Sequence, residues 1–208
     1  MTKVLFIKAN SRPIEQSVSV KLYYKFLENY KESHPDHQIE ELDLFEENLG
    51  YYDTDKINGM FKLSRDIELT DDEKTATRTV NHYLNQFLEA DKVVFAFPLW
   101  NFTIPAVLHT YFDYLAQAGK TFRYTEEGPV GMLPDKKVAL LNARGGVYSE
   151  GPAKSAEMAV NYVENILHFW GVEDITTLVV EGHNQYPHKA EGIVEEGLEK
   201  AAATAVSF

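Results

Sequence analysis

Val4-Leu5-Phe6-Ile7 is a compact apolar run that stops in turn-forming residues, and from Ser17 onward Tyr23, Phe26, Leu27 and Tyr30 fall at i, i+3, i+4 and i+7. The first pattern predicts a buried strand, the second an amphipathic helix. Ile39–Leu44 reads as a weaker strand, followed by a polar, irregular stretch over 50–72 with a short helix near Ile57–Leu63. Asp71-Asp72-Glu73 puts acid where a helix N-terminus favours it, and Val80, Tyr83, Leu84, Phe87 and Leu88 then form one stripe. Val93–Phe97 is the next strand, and Pro105 opens a helix whose buried face is Leu108, Tyr111, Phe112 and Leu115. An irregular segment with Gly128, Pro129, Gly131 and Pro134 precedes a fourth strand, Lys137–Asn142. Val163, Ile166, Leu167 and Trp170 mark a helix stopped by Gly171, Ile175–Val180 is a fifth strand, and Ala190 to Ala201 fits a last helix.

Five strands, each followed by a helix-length segment and each continuously apolar rather than alternating, predict a parallel α/β sheet with helices on both faces. Right-handed crossovers make it doubly wound, and five strands match the flavodoxin-like order 2-1-3-4-5. The length of 208 residues, with 44% hydrophobic content, suits one domain over 1–208 with an adequate core. In such a sheet ligands bind beyond the carboxyl ends of the strands, which directs attention to the loops after Ile7, Phe97 and Asn142.

The first loop, Ala9 to Gln16, contains no glycine and so is neither a Walker A loop nor a dinucleotide-binding turn. It ends at Ser17-Val18-Ser19, where Ser17 reads as a helix N-cap and where free N–H groups with two hydroxyls could also hold a phosphate. The second loop, Pro98-Leu99-Trp100-Asn101-Phe102, sets large rings beside an amide just past a buried strand. It reads either as core extending into a loop or as a surface for a flat heteroaromatic ring, with a backbone donor for a flavin N5. In the third, Asn142-Ala143-Arg144-Gly145-Gly146, adjacent glycines allow close backbone approach to a ligand, or simply make a turn beside a surface arginine.

The chain has no cysteine, which excludes thiolate nucleophiles, iron–sulfur clusters and dithiol redox chemistry. A net charge of −12 without a basic run disfavours nucleic acid. Val93 to Trp100 is far shorter than the ~20 residues that span a bilayer, so no membrane association and a cytoplasmic location are expected. His34-Pro35-Asp36-His37 reads as a solvated turn rather than a metal site, and Glu40-Glu41 and Glu195-Glu196 as solvated charge. His183 follows the fifth strand and is expected on the surface or behind the site.

Taken together, the start Met1 to Lys8, Ser17-Val18-Ser19, Pro98 to Phe102, Ala118 to Thr125, Ala143 to Gly146 and Glu181-Gly182 resemble the FMN-dependent NADH:azoreductases. These are also NAD(P)H:quinone reductases of the flavodoxin-like superfamily, and the resemblance runs essentially end to end. It implies one non-covalent FMN per subunit, its phosphate held by Ser17, Val18 and Ser19 with Asn10 nearby. Pro98, Leu99, Trp100, Asn101 and Phe102 would line the isoalloxazine, with Asn101 near N5, and Ala143, Arg144, Gly145 and Gly146 would hold the pyrimidine side. Phe122, Tyr124 and Tyr148 would wall the cavity for nicotinamide and acceptor. Residues 50–72, with Met60 and Phe61 as candidates, would shape the partner subunit's pocket in a homodimer.

The activity so implied is ping-pong hydride transfer from NADH or NADPH to quinones, giving hydroquinones, and to azo compounds, giving amines. No metal and no side chain acting as nucleophile or obligate acid or base are required. The competing reading is a flavodoxin-like FMN electron carrier that turns over no small molecule. The long connections over 45–90 and 119–135 exceed what such a carrier needs.

Overall fold

The computed structural model describes residues 1–208. Its central sheet is parallel, in the order β2 (Gln38–Asp43), β1 (Lys3–Lys8), β3 (Lys92–Pro98), β6 (Lys137–Arg144), β7 (Asp174–Glu181). Numbered among sheet strands alone this is 2-1-3-4-5, the predicted flavodoxin-like winding. The register pairs Phe6 with Val94, Phe97 with Asn142 and Ala143 with Val180.

Period-2 alternation sorts the central strands onto two cores. Leu5, Ile7, Val93, Phe95, Phe97, Val138 and Leu140 face a layer containing α3 (Asp71–Glu89), α4 (Ala106–Leu115) and α5 (Val160–Phe169). Val4, Phe6, Val94, Ala96, Ala139 and Leu141 face α1 (Val18–Ser33) and α6 (Ala190–Ser207). Phe6 is the hub of the second core, meeting Tyr23 edge-on at 6.1 Å and Tyr30 at 5.6 Å. Burying a ring of this size contributes about 2–3 kcal/mol. Tyr111, Phe112, Tyr114 and Leu115 of α4 are all core.

The structure departs from the sequence reading in two places, the edge strands and the segment 122–131, while the two helices expected between β2 and β3 are both present. The edge strands are not continuously apolar: β2 exposes Gln38, Glu40 and Glu41, and β7 exposes Asp174 and Thr177, because an edge strand has a neighbour on one side only. The segment 122–131, read as irregular, is an antiparallel hairpin of β4 (Phe122–Thr125) and β5 (Gly128–Gly131). It lies so close to Gly171 at the end of α5 that a side chain at Gly131 would overlap the Gly171 backbone. The connection from β2 to β3 carries two helices, of which α2 (Thr54–Leu63) packs on α3, Gly59 admitting the Thr77 methyl where a Cβ would stand 2.7 Å from it.

The ladder continues past the strand ends into the loops that matter for function. Ala9 N–H donates to the Ala96 carbonyl at 2.9 Å, Leu99 to Ala143 at 3.0 Å and Gly182 to Arg144 at 3.2 Å. These rungs fix where each loop leaves the sheet. No helix is long and apolar enough to cross a membrane.

Candidate functional site

The loop after β1 is organised by a side chain. Asn10, 2% exposed, donates its amide to Ser17 Oγ at 2.8 Å and Ser19 Oγ at 3.0 Å, while its Oδ1 accepts the Arg12 N–H at 3.0 Å. Ser17 is indeed the N-cap of α1, accepting the Val20 N–H at 3.4 Å. The Val18 and Ser19 N–H groups make no hydrogen bond within the chain, as the first turn of a helix dictates. Two positioned hydroxyls and two free N–H groups at the positive end of a helix form an anion site, with Arg12 and Lys21 lining the same cavity.

The loop after β3 carries the most unusual backbone in the chain. Asn101 (φ 50°) and Phe102 (φ 71°) are both left-handed, the middle pair of a type I′ turn closed by reciprocal Trp100–Thr103 bonds of 2.9 and 3.1 Å. Asn accepts that conformation and Phe does not readily, so the turn stores strain. Neither residue's N–H has a partner within the chain. Phe102, 48% exposed, stands edge-on to Tyr148 at 6.3 Å.

The loop after β6 presents its backbone and turns its charge away. Gly145 leaves no room for a Cβ, which would sit 3.0 Å from both Cβ and Cγ of Asn184, and at Gly146 it would sit 3.1 Å from the Tyr148 ring. Arg144 is no surface residue. It is 5% exposed, donating from Nε to Glu181 at 2.9 Å and from the guanidinium to Ser149 Oγ at 3.0 Å, with Glu157 at 3.3 Å. Burial pushes the Glu181 carboxyl up, but hydrogen bonds from Ser149 and Tyr148 and the Arg144 charge outweigh it and hold the group below the usual carboxylate range.

One cavity of about 480 Å³ gathers Asn10, Ser17, Val18 and Ser19 from the first loop, Pro98, Leu99 and Trp100 from the second, and Ala143 and Gly145 from the third. Asn101, Phe102, Arg144 and Gly146 are not in its lining. The cavity also takes in residues that the sequence reading does not single out as ligands: Arg12, Glu15, Gln16, Lys21, His183 and Asn184. The only sequence signal at His183 is its position after the last strand. Burial lowers its pKa, favouring the neutral ring, and its Nδ1 is buried without a partner. Asn184 carries no signal in the sequence beyond that same position.

The expected acceptor wall is divided within one chain. Tyr148 stands with Phe102, whereas Phe122 and Tyr124 line a second, more apolar cavity of about 690 Å³ with Tyr52, Ile57, Met60 and Phe61. Tyr124 is 74% exposed, and Ile57 and Phe61 are each 51% exposed.

The first cavity fits FMN on its own geometry. It offers anion donors at one end, aromatic and backbone surface at the other, and a glycine cradle a Cβ would fill, in a volume typical of cofactor sites. The sheet order and the loops gathered at its switch point define a flavodoxin-like α/β protein, and the family model for the flavodoxin-like fold matches residues 2–205. The chain is 63% identical over its full length to an FMN-dependent NADH:quinone oxidoreductase of Bacillus cereus, also covered in full. It superposes on the crystal structure of an azoreductase from Bacillus anthracis str. Sterne with a TM-score of 0.98, at 62% identity and full coverage of both chains. An FMN-dependent NADH-azoreductase from Bacillus anthracis str. Ames Ancestor, crystallised in complex with FMN, gives a TM-score of 0.86 at 30% identity, covering 99% of this chain and 100% of that one. The chain belongs to the family of FMN-dependent NADH:quinone oxidoreductases and azoreductases.

Proposed function

We propose that this chain is an FMN-dependent NADH:quinone oxidoreductase that also cleaves aromatic azo compounds, acting over 1–208 as one FMN-binding unit. The observation that carries the reading is the single cavity in which the anion site at the start of α1 meets the Pro98–Trp100 surface and the Gly145 backbone. Full-length identity of 63% to a protein so named supports it.

When bound, FMN would supply two-electron hydride chemistry between NADH and the acceptor. The chain's part is binding and geometry. Ser17, Ser19 and the Val18 and Ser19 N–H groups would hold the phosphate, with Asn10 fixing both hydroxyls. Leu99 and Trp100 would pack against the ring system, and the unpaired N–H groups of the adjoining 101–102 turn would be available as donors to its edge. Ala143 and Gly145 would approach its pyrimidine side by backbone alone, with Gly146 packed against the Tyr148 ring. A quinone consumes one NADH, whereas an azo bond takes four electrons and consumes two.

The exposed apolar residues around Phe61 and Tyr124 support a homodimer in which residues 50–72 of one subunit and Phe122 and Tyr124 complete an acceptor pocket with the other. NADH is the proposed donor, NADPH a weaker one, since the net charge of −12 opposes the additional phosphate.

The test is the visible spectrum of the purified protein under anaerobic NADH, followed by a benzoquinone or methyl red. Yellow colour bleached by NADH and restored by acceptor, at one FMN per chain, is the expected result. Failure to take up FMN overturns the proposal. Colour that NADH leaves intact but a partner reductase bleaches assigns an electron carrier instead.

A further inference from the structure

Arg144 joins two loops of the site through two carboxylates. On one side Glu181 Oε2 accepts Arg144 Nε at 2.9 Å together with the N–H groups of Tyr148 at 2.8 Å and Ser149 at 3.1 Å. This fastens the segment that carries Tyr148. On the other side Glu157, 5% exposed in its side chain, lies 3.3 Å from the guanidinium. Its Oε1 accepts the Ala159 and Val160 N–H groups at 3.0 and 2.8 Å, and its Oε2 the Asn161 N–H at 3.1 Å. One guanidinium against two carboxylates leaves an unbalanced negative charge. The start of α5, with three donated N–H groups and its positive dipole end, compensates it.

The residue next to Glu157 reaches the strained turn. Met158 donates its N–H to the Phe102 carbonyl at 2.8 Å, and its own carbonyl accepts from Thr103 Oγ1 at 3.4 Å. Met158 is otherwise exposed, at 51%. The left-handed Phe102 is thus held from outside by a backbone bond whose donor is placed by a buried carboxylate.

We infer that Glu157 is a positioning residue: anchored to Arg144 and to the start of α5, it sets Met158, and the Met158–Phe102 bond holds the Asn101–Phe102 turn in the conformation that leaves its two N–H groups free for the ring edge of the cofactor. This rests on the FMN reading of the cavity. Since the phosphate end is built from other residues, losing the hold detunes the bound ring more than it releases the cofactor.

The experiment uses the FMN-loaded enzyme and compares Met158→Pro, which deletes the donor N–H, with Met158→Ala, which removes the side chain and keeps the N–H. The Glu157 backbone, at φ −76° and ψ 107°, already suits a residue that precedes proline. Relative to Met158→Ala, Met158→Pro is expected to shift the bound flavin's visible spectrum and midpoint potential and to lower kcat by about tenfold or more, since small misplacements of reacting groups have such effects. FMN affinity should differ by less than about threefold, well under the tenfold that 1.4 kcal/mol represents. Glu157→Gln should move spectrum and potential in the same direction. A merely structural role lowers Tm and leaves both unchanged, which overturns the inference. If Met158→Pro does not fold, Glu157→Gln decides: a spectrum and potential unchanged from wild type overturn the inference, a shift in both supports it. Wild-type protein that takes up no FMN defeats the functional proposal itself, a separate outcome.

Discussion

Gly145 and Asn184 lock the loop after β6 to the loop after β7: the Gly145 carbonyl accepts the Asn184 N–H at 3.0 Å, and a Cβ on Gly145 would stand 3.0 Å from Asn184 Cβ. Both residues line the candidate FMN cavity. Gly145→Ala therefore displaces the Asn184 side chain or the loop itself, at an overpacking cost of about 1–3 kcal/mol. FMN affinity is expected to fall by about tenfold, roughly 1.4 kcal/mol. A fluorescence titration giving the wild-type Kd would remove Gly145 from the proposed site.

Asn10 is coupled to the phosphate end alone. Asn10→Ala withdraws the donor from two buried serine hydroxyls and the acceptor from the Arg12 N–H. The freed hydroxyls reorient, and the loss of order should weaken FMN binding by about 1–1.5 kcal/mol, the worth of a hydrogen bond. Riboflavin, which has the ring but no phosphate, should bind the variant as it binds the wild type. An equal loss for both ligands would place Asn10 somewhere other than the phosphate end.

The legibility of the fold follows burial. The strands β1, β3 and β6 are covered on both faces and stand out as unbroken apolar runs, so their order and the loops that leave them can be read directly. The hairpin 122–131 cannot, because its short strands pair only with each other and its Gly128, Pro129 and Gly131 answer to a turn and to the approach of Gly171. Position along a strand likewise explains why Ser17, Leu99 and Gly145 are legible. Arg144 shows what such reasoning misses. Its neighbours in sequence look like a turn, while its burial depends on Glu157 and Glu181, which are distant in the chain and brought to it by the start of α5 and the end of β7. His183 and Asn184 join the cavity for the same reason: they follow the fifth sheet strand, and only the sheet order brings that end beside Gly145.

The strain at Phe102 separates stability from function. Phe102→Gly turns the sequence into Asn-Gly, the pair a type I′ turn prefers, and removes a penalty of about 1–3 kcal/mol for a non-glycine residue at φ 71°. Against this stand the added backbone entropy of the unfolded chain and the lost edge-on contact with Tyr148. The net expectation is a gain of about 0.5–1 kcal/mol in unfolding free energy, accompanied by slower turnover as the ring loses its wall. Urea unfolding beside steady-state kinetics checks both halves. A variant less stable by several degrees would mean that Phe102 is held by its contacts rather than against its backbone preference.

Glu181 ties acid stability to the site. Its side chain is 19% exposed, and its carboxyl sits below the ordinary range in the fold because the hydrogen bonds from Ser149 and Tyr148 and the Arg144 charge outweigh burial. The unfolded chain, with a carboxyl near pH ~4.3, therefore binds the proton first as pH falls. The stabilisation from the charged group is complete above that value and disappears as pH drops through the lower folded value. Glu181→Gln should accordingly be less stable than wild type by about 2 kcal/mol at pH 7, the loss expected for hydrogen bonds to a charged group when Arg144 still keeps Glu157. The two proteins should converge in acid. Unfolding free energies from pH 7 down to the acid limit of the wild type measure the gap. A gap that stays constant across that range would show that the carboxylate charge contributes nothing and that Glu181 holds Tyr148 and Ser149 by shape alone.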